Sequence, residues 1–168
     1  MTRRLHALIA HGQGDSQEAD ALRDEMDGPW YRLSEAEQLR ARGLSGDLYS
    51  LSDEETHPRD DTGKSVTPEE LQSAWDVRDW DRVLELLRAP PGFLTRDQIA
   101  FLRGYCWREI GDPETALLFF QKAEQICPEN GHYGVTVVDA LVGLQRVKEA
   151  HDYARRWIES ACWPAGRA

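Results

Sequence analysis

A chain of 168 residues and 19.2 kDa is the size of one domain that buries a real core. Its 30 acidic against 20 basic residues, net charge of -10 and pI of about 4.9 run against nucleic-acid binding, which draws its affinity from basic groups on phosphate, and favour solubility and basic partners. At 40% hydrophobic and 30% charged, with no apolar run near the roughly 18 to 20 residues of a membrane span, the composition fits a soluble helical protein without membrane association.

The N-terminal stretch MTRRLHALIAHGQGD carries two arginines and a short apolar patch, but His6 interrupts the patch and no small-residue cleavage site follows. It is read as a first helix, Thr2 to His11, ended by Gly12, Gln13 and Gly14, and the expected location is cytoplasmic. The three cysteines, Cys106, Cys127 and Cys162, are odd in number and lack CxxC spacing, which fits a reducing compartment, and Cys106 and Cys127 read as small core residues. Asp15 and Ser16 offer an N-cap with Glu18 as the acidic third position. The second helix then runs with Ala19, Leu22 and Met26 inward until Gly28 and Pro29 stop it.

Ser34 and Glu37 form a further capping box, which predicts a third helix through about Arg42, with Trp30, Tyr31 and Leu33 ahead of it as a hydrophobic staple. From Gly43 to Ser65 the chain is rich in Gly, Ser, Thr and Asp and reads as a linker, its first part ordered by Leu44, Leu48, Tyr49 and Leu51. The domain reading is an N-terminal helical extension over 1–51, an acidic polar linker over 52–66, a repeat domain over 67–160 and a tail over 161–168.

Thr67, Pro68 and Glu70 supply a capping hydroxyl, a first-turn proline and an acidic third position, and paired helices follow to Ser160. Leu71 and Trp75 share one face, and Trp80, Val83, Leu84 and Leu87 form the apolar side of a helix over Asp79 to Arg88. Pro90, Pro91 and Gly92 break it, Thr95 with Gln98 caps the next, and Asp112 and Pro113 mark a turn inside the central pair. Asn130 and Gly131 introduce a helix from about Tyr133 to Val142, and Val147 to Ser160 forms the last. Val83, Ala116 and Ala150 recur at separations of 33 and 34, as do Leu87, Phe120 and Ala154.

Within Thr95 to Pro128, the order Gly104, Trp107, Gly111, Ala116, Phe120, Ala123 and Pro128 resembles one tetratricopeptide repeat: a small residue, an aromatic, a turn residue, a small contact, an aromatic, a second small contact and a terminating proline. The resemblance covers 67–160, with the flanking copies departing from it at Gln72, Val83, Val138 and Gln145. It implies an all-α fold, a right-handed stack of about three antiparallel helix hairpins, in which the small residues let paired helices approach and the large ones fill the groove between neighbours. GDSQEA, from Gly14 to Ala19, lines up with GDPETA, from Gly111 to Ala116. Ala19 to Val83 is nevertheless 64 residues, not two periods, so the N-terminal helices are an extension that caps the array or packs on its concave side.

No catalytic constellation assembles from the residues. Thr62 to Ser65 resembles the end of a phosphate-binding loop but lacks the earlier glycine, where Pro58 stands, and Glu54 with His57 has metal-helix spacing without a second copy. His6, His11, His57, His132 and His151 are scattered, and His151 with Asp152 reads as a surface pair. No cofactor or metal is expected, and no enzyme activity.

The resemblance instead implies a groove lined by the first helix of each pair. Its lining positions correspond to Gln98, Phe101, Leu102, Tyr105, Arg108 and Glu109 in the central unit and to His132, Val135, Thr136 and Asp139 in the next, with Leu102 and Val135 open between groove and core. The lysine and asparagine clamp that family members use on a C-terminal carboxylate is missing, since Phe101, Tyr105, Val135 and Asp139 stand there. The expected function is a non-enzymatic scaffold binding a partner protein or peptide through Gln98, Phe101, Tyr105, Arg108, Glu109, His132 and Asp139. A narrower alternative is an acidic bacterial secretion chaperone whose N-terminal helices form a homodimer. A third, from another class, is an enzyme or toxin-antitoxin component using Arg3, Arg4, His6 and His11. Trp75, Trp80, Trp107 and Trp157 are expected in the core, while Trp163 is open between exposure, a seal over the end of the array and a dimer contact.

Overall fold

A computed structural model describes residues 1–51, 66–89 and 91–160, and among the described residues all regular structure is helical. The chain divides into two compact units, Met1–Arg59 and Asp60–Ala168, which are described in turn.

In the first unit, α1 (Thr2–Ala10) packs on both α2 (Gln17–Trp30) and α3 (Glu35–Tyr49). Ser16 is the cap of α2, accepting a bond from the Ala19 amide at 3.2 Å. Glu18 is therefore released from the capping box expected of it, and binds Arg4 of α1 at 2.6 Å. Two expected stops do not act. α2 continues through Gly28 to Trp30, because a proline in the last turn forfeits one backbone bond and leaves the rest of the ladder intact. α3 passes Arg42, Gly43 and Gly46 to Tyr49, its start fixed by the reciprocal Ser34 and Glu37 bonds of 3.4 and 2.8 Å. Its glycine-containing second half buries Leu48 and Asp47 and packs on α1, and tertiary burial outweighs the roughly 1 kcal/mol each glycine costs. The expected linker over Gly43 to Tyr49 is thus helix and Ser50 and Leu51 form a turn after it; residues 52–65, with Glu54, His57 and Thr62 to Ser65, lie outside the described residues.

The second unit holds α4 (Pro68–Asp76), α5 (Trp80–Arg88), α6 (Arg96–Ile110), α7 (Pro113–Ile126), α8 (Gly131–Gly143) and α9 (Val147–Ser160), each packed on the next in chain order. Thr67 and Glu70 cap α4 reciprocally at 3.2 and 3.0 Å, as the sequence predicts. Asp79 caps α5 and Asp112 caps α7, accepting from the Arg82 and Thr115 amides at 3.1 and 3.2 Å. The side chain of Thr115, itself buried, donates to the second oxygen of Asp112 at 2.8 Å.

One turn geometry recurs three times in this unit. Arg78, Gly111 and Gln145, spaced by 33 and 34 residues, all lie in the left-handed region, with φ of 57°, 96° and 59°. The amide that follows each bonds back over the turn: Asp79 to the Ala74 carbonyl, Asp112 to Trp107 and Arg146 to Leu141, at 3.0, 2.9 and 2.9 Å. This is a six-to-one helix-ending bond, which reverses the chain within two residues. The α1 helix ends in the same way, with Gly12 at φ of 71° and the Gln13 amide on the Leu8 carbonyl at 2.8 Å, but the connection then runs on to Ser16 before α2 begins. Gly14, the glycine that GDSQEA shares with GDPETA, is not the left-handed residue, so the likeness does not extend to the register of the turn.

The core follows the spacing. Val83, Ala116 and Ala150 are buried, as are Leu87 and Phe120, while Ala154 is half-buried. A Cβ on Gly104 would lie 2.7 Å from the Phe120 ring and 3.1 Å from the Ala116 carbonyl, so α6 and α7 meet at a distance that only glycine permits. Cys106 and Trp107 are buried as expected. Cys127, Trp75, Trp80 and Trp157 are half-buried, because each sits where a helix pair borders the surface. Arg103, buried among α5 to α7, donates to the Leu87 carbonyl at 2.8 Å near the end of α5 and lies over Phe119, an anchor the sequence did not suggest.

Candidate functional site

The residues expected to line a groove fall on two helical stripes. Gln98, Phe101, Tyr105 and Arg108 of α6 follow one another at offsets of three and four, and so do His132, Val135, Asp139 and Val142 of α8, which places each set on one helix face. The stripes adjoin near their N-terminal ends. Phe101 meets His132 at 5.2 Å and Tyr133 at 5.3 Å between ring centroids, and also touches Phe120 of α7 at 5.6 Å. Beneath them Ala100, Ala123 and Tyr133 form a buried cluster on which Phe101 and Cys127 pack.

Not all of these side chains are free for a partner. Gln98 caps its own helix, accepting from the Thr95 amide at 3.0 Å. Tyr105 is half-buried against Trp75 of α4 and Trp80 of α5, at 5.0 and 5.8 Å, and Arg108 lies over its ring at 4.6 Å. Arg108 and Glu109 are exposed and face each other at 3.5 Å, an ion pair of small energetic worth. Leu102 is half-buried. Thr136 is buried, with its hydroxyl donated to the His132 carbonyl at 2.8 Å, and so leaves the set of lining residues. His132, Val135 and Asp139 are exposed. Sequence reasoning missed Val142, whose signal was its place three residues after Asp139 on the same stripe.

The electrostatics beneath the stripes are those of a packed joint. The Tyr133 hydroxyl donates to Asp97 at 2.8 Å, tying α8 to the first turn of α6. Burial, and then the neighbouring Asp97 carboxylate, push Tyr133 up to about 12. Asp97 is held below the ordinary carboxylate range, first by the Thr95 hydroxyl and also by Tyr133, against an opposing effect of burial. Tyr153 of α9 is likewise raised to about 12 by burial and by Glu124.

Three of the N-terminal residues weighed for catalysis, Arg4, His6 and His11, have partners within the first unit. Arg4 pairs with Glu18, and His11 Nδ1 lies 2.6 Å from the Ala7 carbonyl of its own helix. His6 Nε2 is 3.0 Å from Ser45 Oγ, and its ring meets Tyr49 edge-on at 4.2 Å, joining α1 to α3. His151 and Asp152 form the expected surface pair at 3.5 Å. Among the described residues there is no group of three or more His, Cys, Asp or Glu that holds a metal, and no helix long and apolar enough to cross a membrane.

Compared with protein-family models, with curated proteins and with solved structures, the chain finds no match.

Proposed function

We propose that residues 67–160 are a tetratricopeptide-like stack of three helix pairs and act as a non-enzymatic interaction module, holding a segment of a partner protein on the face made by α6 and α8. The observation that carries this reading is the exposed apolar stripe of α8, Val135 and Val142 at 49% and 51%, beside the half-buried ring of Phe101 on α6. Support for the stack comes from the threefold recurrence of the left-handed turn at Arg78, Gly111 and Gln145 and from the close approach at Gly104. Binding through the first helix of each pair follows from that arrangement, since the second helices carry the fully buried Val83, Ala116 and Ala150.

The test is photo-crosslinking in the native cell. A photoreactive residue at Val135 is expected to yield a protein adduct, and the same residue at Leu118, exposed on α7, to yield none. Adducts from Leu118 alone, or from neither position, would dispose of the proposed face.

A further inference from the structure

α8 carries apolar side chains on both its buried and its exposed side. Tyr133, Val137 and Leu141 are buried on one side, while Val135 and Val142 stand exposed on the other. α7 and α9 pack on α8 and leave the side of Val135 and Val142 open, and neighbouring exposed apolar side chains mark a surface suited to a contact. Between the two valines lies Asp139, exposed, and among the described residues nothing forms a hydrogen bond or ion pair with its side chain. The cation of the α6 stripe, Arg108, faces Glu109 and lies over the Tyr105 ring.

Two occupants fit this stripe poorly. A second copy paired about a two-fold axis along α8 sets Asp139 against its own equivalent, two carboxylates in a partly desolvated contact. An acidic segment meets the same repulsion, reinforced by the net charge of -10. The complementary surface is apolar, then cationic, then apolar. Val135 and Val142 are seven residues apart, two helical turns or about 10 Å, which is the spacing of apolar side chains on a facing helix.

We infer that the stripe of Val135, Asp139 and Val142 docks a basic amphipathic helix of a partner protein, with two apolar side chains two turns apart and an Arg or Lys between them set on Asp139. This rests on the interaction-module reading above and names the chemistry of its partner.

The test uses the full chain and a fluorescently labelled synthetic helical peptide carrying two leucines two turns apart with arginines between them, together with a twin in which glutamates replace the arginines. Anisotropy should show the arginine peptide binding about tenfold or more tighter than its twin. Asp139→Lys should invert that order, and Val135→Ser with Val142→Ser should abolish binding of both; all three positions are exposed, and circular dichroism checks that the variants keep their helices. Equal affinity for the twins, binding of neither, or an unchanged preference in Asp139→Lys would overturn the inference. Photo-crosslinking separates the two levels. A partner adduct at Val135 without the charge preference retains the interaction module and removes the basic helix. An adduct of two copies of this chain assigns the stripe to self-association and also overturns it, whereas absence of any adduct removes the underlying reading.

Discussion

Gly134 and Trp157 stand 34 residues after Ala100 and Ala123, and the two pairs solve one packing problem with different volumes. In the first, two small residues share a buried cluster; in the second, a Cβ on Gly134 would lie 2.2 Å from the Trp157 ring, so the indole covers ground that only glycine leaves vacant. Gly134→Ala should therefore cost about 1–3 kcal/mol through overpacking, and Trp157→Ala about 2 kcal/mol or more through lost burial. The double variant recreates the two-alanine pair, and denaturant unfolding should find it less destabilised than the sum of the singles by about 1 kcal/mol or more. Gln145 tells a similar story at the backbone. Its φ of 59° occupies the position that Gly111 fills with φ of 96°, so Gln145→Gly should relieve strain and raise stability by up to about 1 kcal/mol in the same measurement. At the α6–α8 joint, Tyr133→Phe removes a bond worth about 1 kcal/mol. In an NMR titration Asp97 should then rise only part of the way to the ordinary carboxylate range, because the Thr95 hydroxyl is the larger cause of its depression.

Helix ends show what local chemistry decides and where it stops deciding. Capping at Ser34, Thr67, Asp79 and Asp112 sets the starts of α3, α4, α5 and α7. Asp112 serves both the amide and the hydroxyl of buried Thr115, and Asp112→Ala should cost about 1–2 kcal/mol of thermal stability. Glycine and proline were weaker guides to where helices end: α2 runs through Gly28 and Pro29 and α3 through Gly43 and Gly46, since packing on α1 sustains a helix that propensity alone disfavours. That α1–α3 contact has its own pH dependence. His6 is held below its ordinary value of 6.5 by burial, so the unfolded chain takes up the proton first. The stability of the first unit should be whole above pH 6.5, fall as the pH drops below it, and level once the folded imidazole is itself protonated. Amide exchange in α1 and α3 should accelerate across that window, and in His6→Phe the acceleration should vanish.

At the scale of the molecule, the acid response should be confined to Met1–Arg59, because His6 and its partners Ser45 and Tyr49 all lie there; α4 to α9, followed by the same exchange measurement, should not share the step. The helical class, the caps at Ser34, Thr67 and Thr95, the 33- and 34-residue spacing and the buried Ala116 and Ala150 were legible from residue order alone, because each depends on neighbours within one or two turns or on a fixed period. The volume exchange between Gly134 and Trp157, the buried Arg103 and the bond from Tyr133 to Asp97 were not, since they join residues brought together only when helices pack. The same holds for the candidate face. Phe101, His132 and Asp139 could be placed on helical stripes from the sequence, but a stripe does not say which side of a helix is covered. Only the tertiary structure exposed Val135 and Val142, buried Thr136 and drew Tyr105 against two tryptophans, because burial is set by the neighbouring helices rather than by the helix itself.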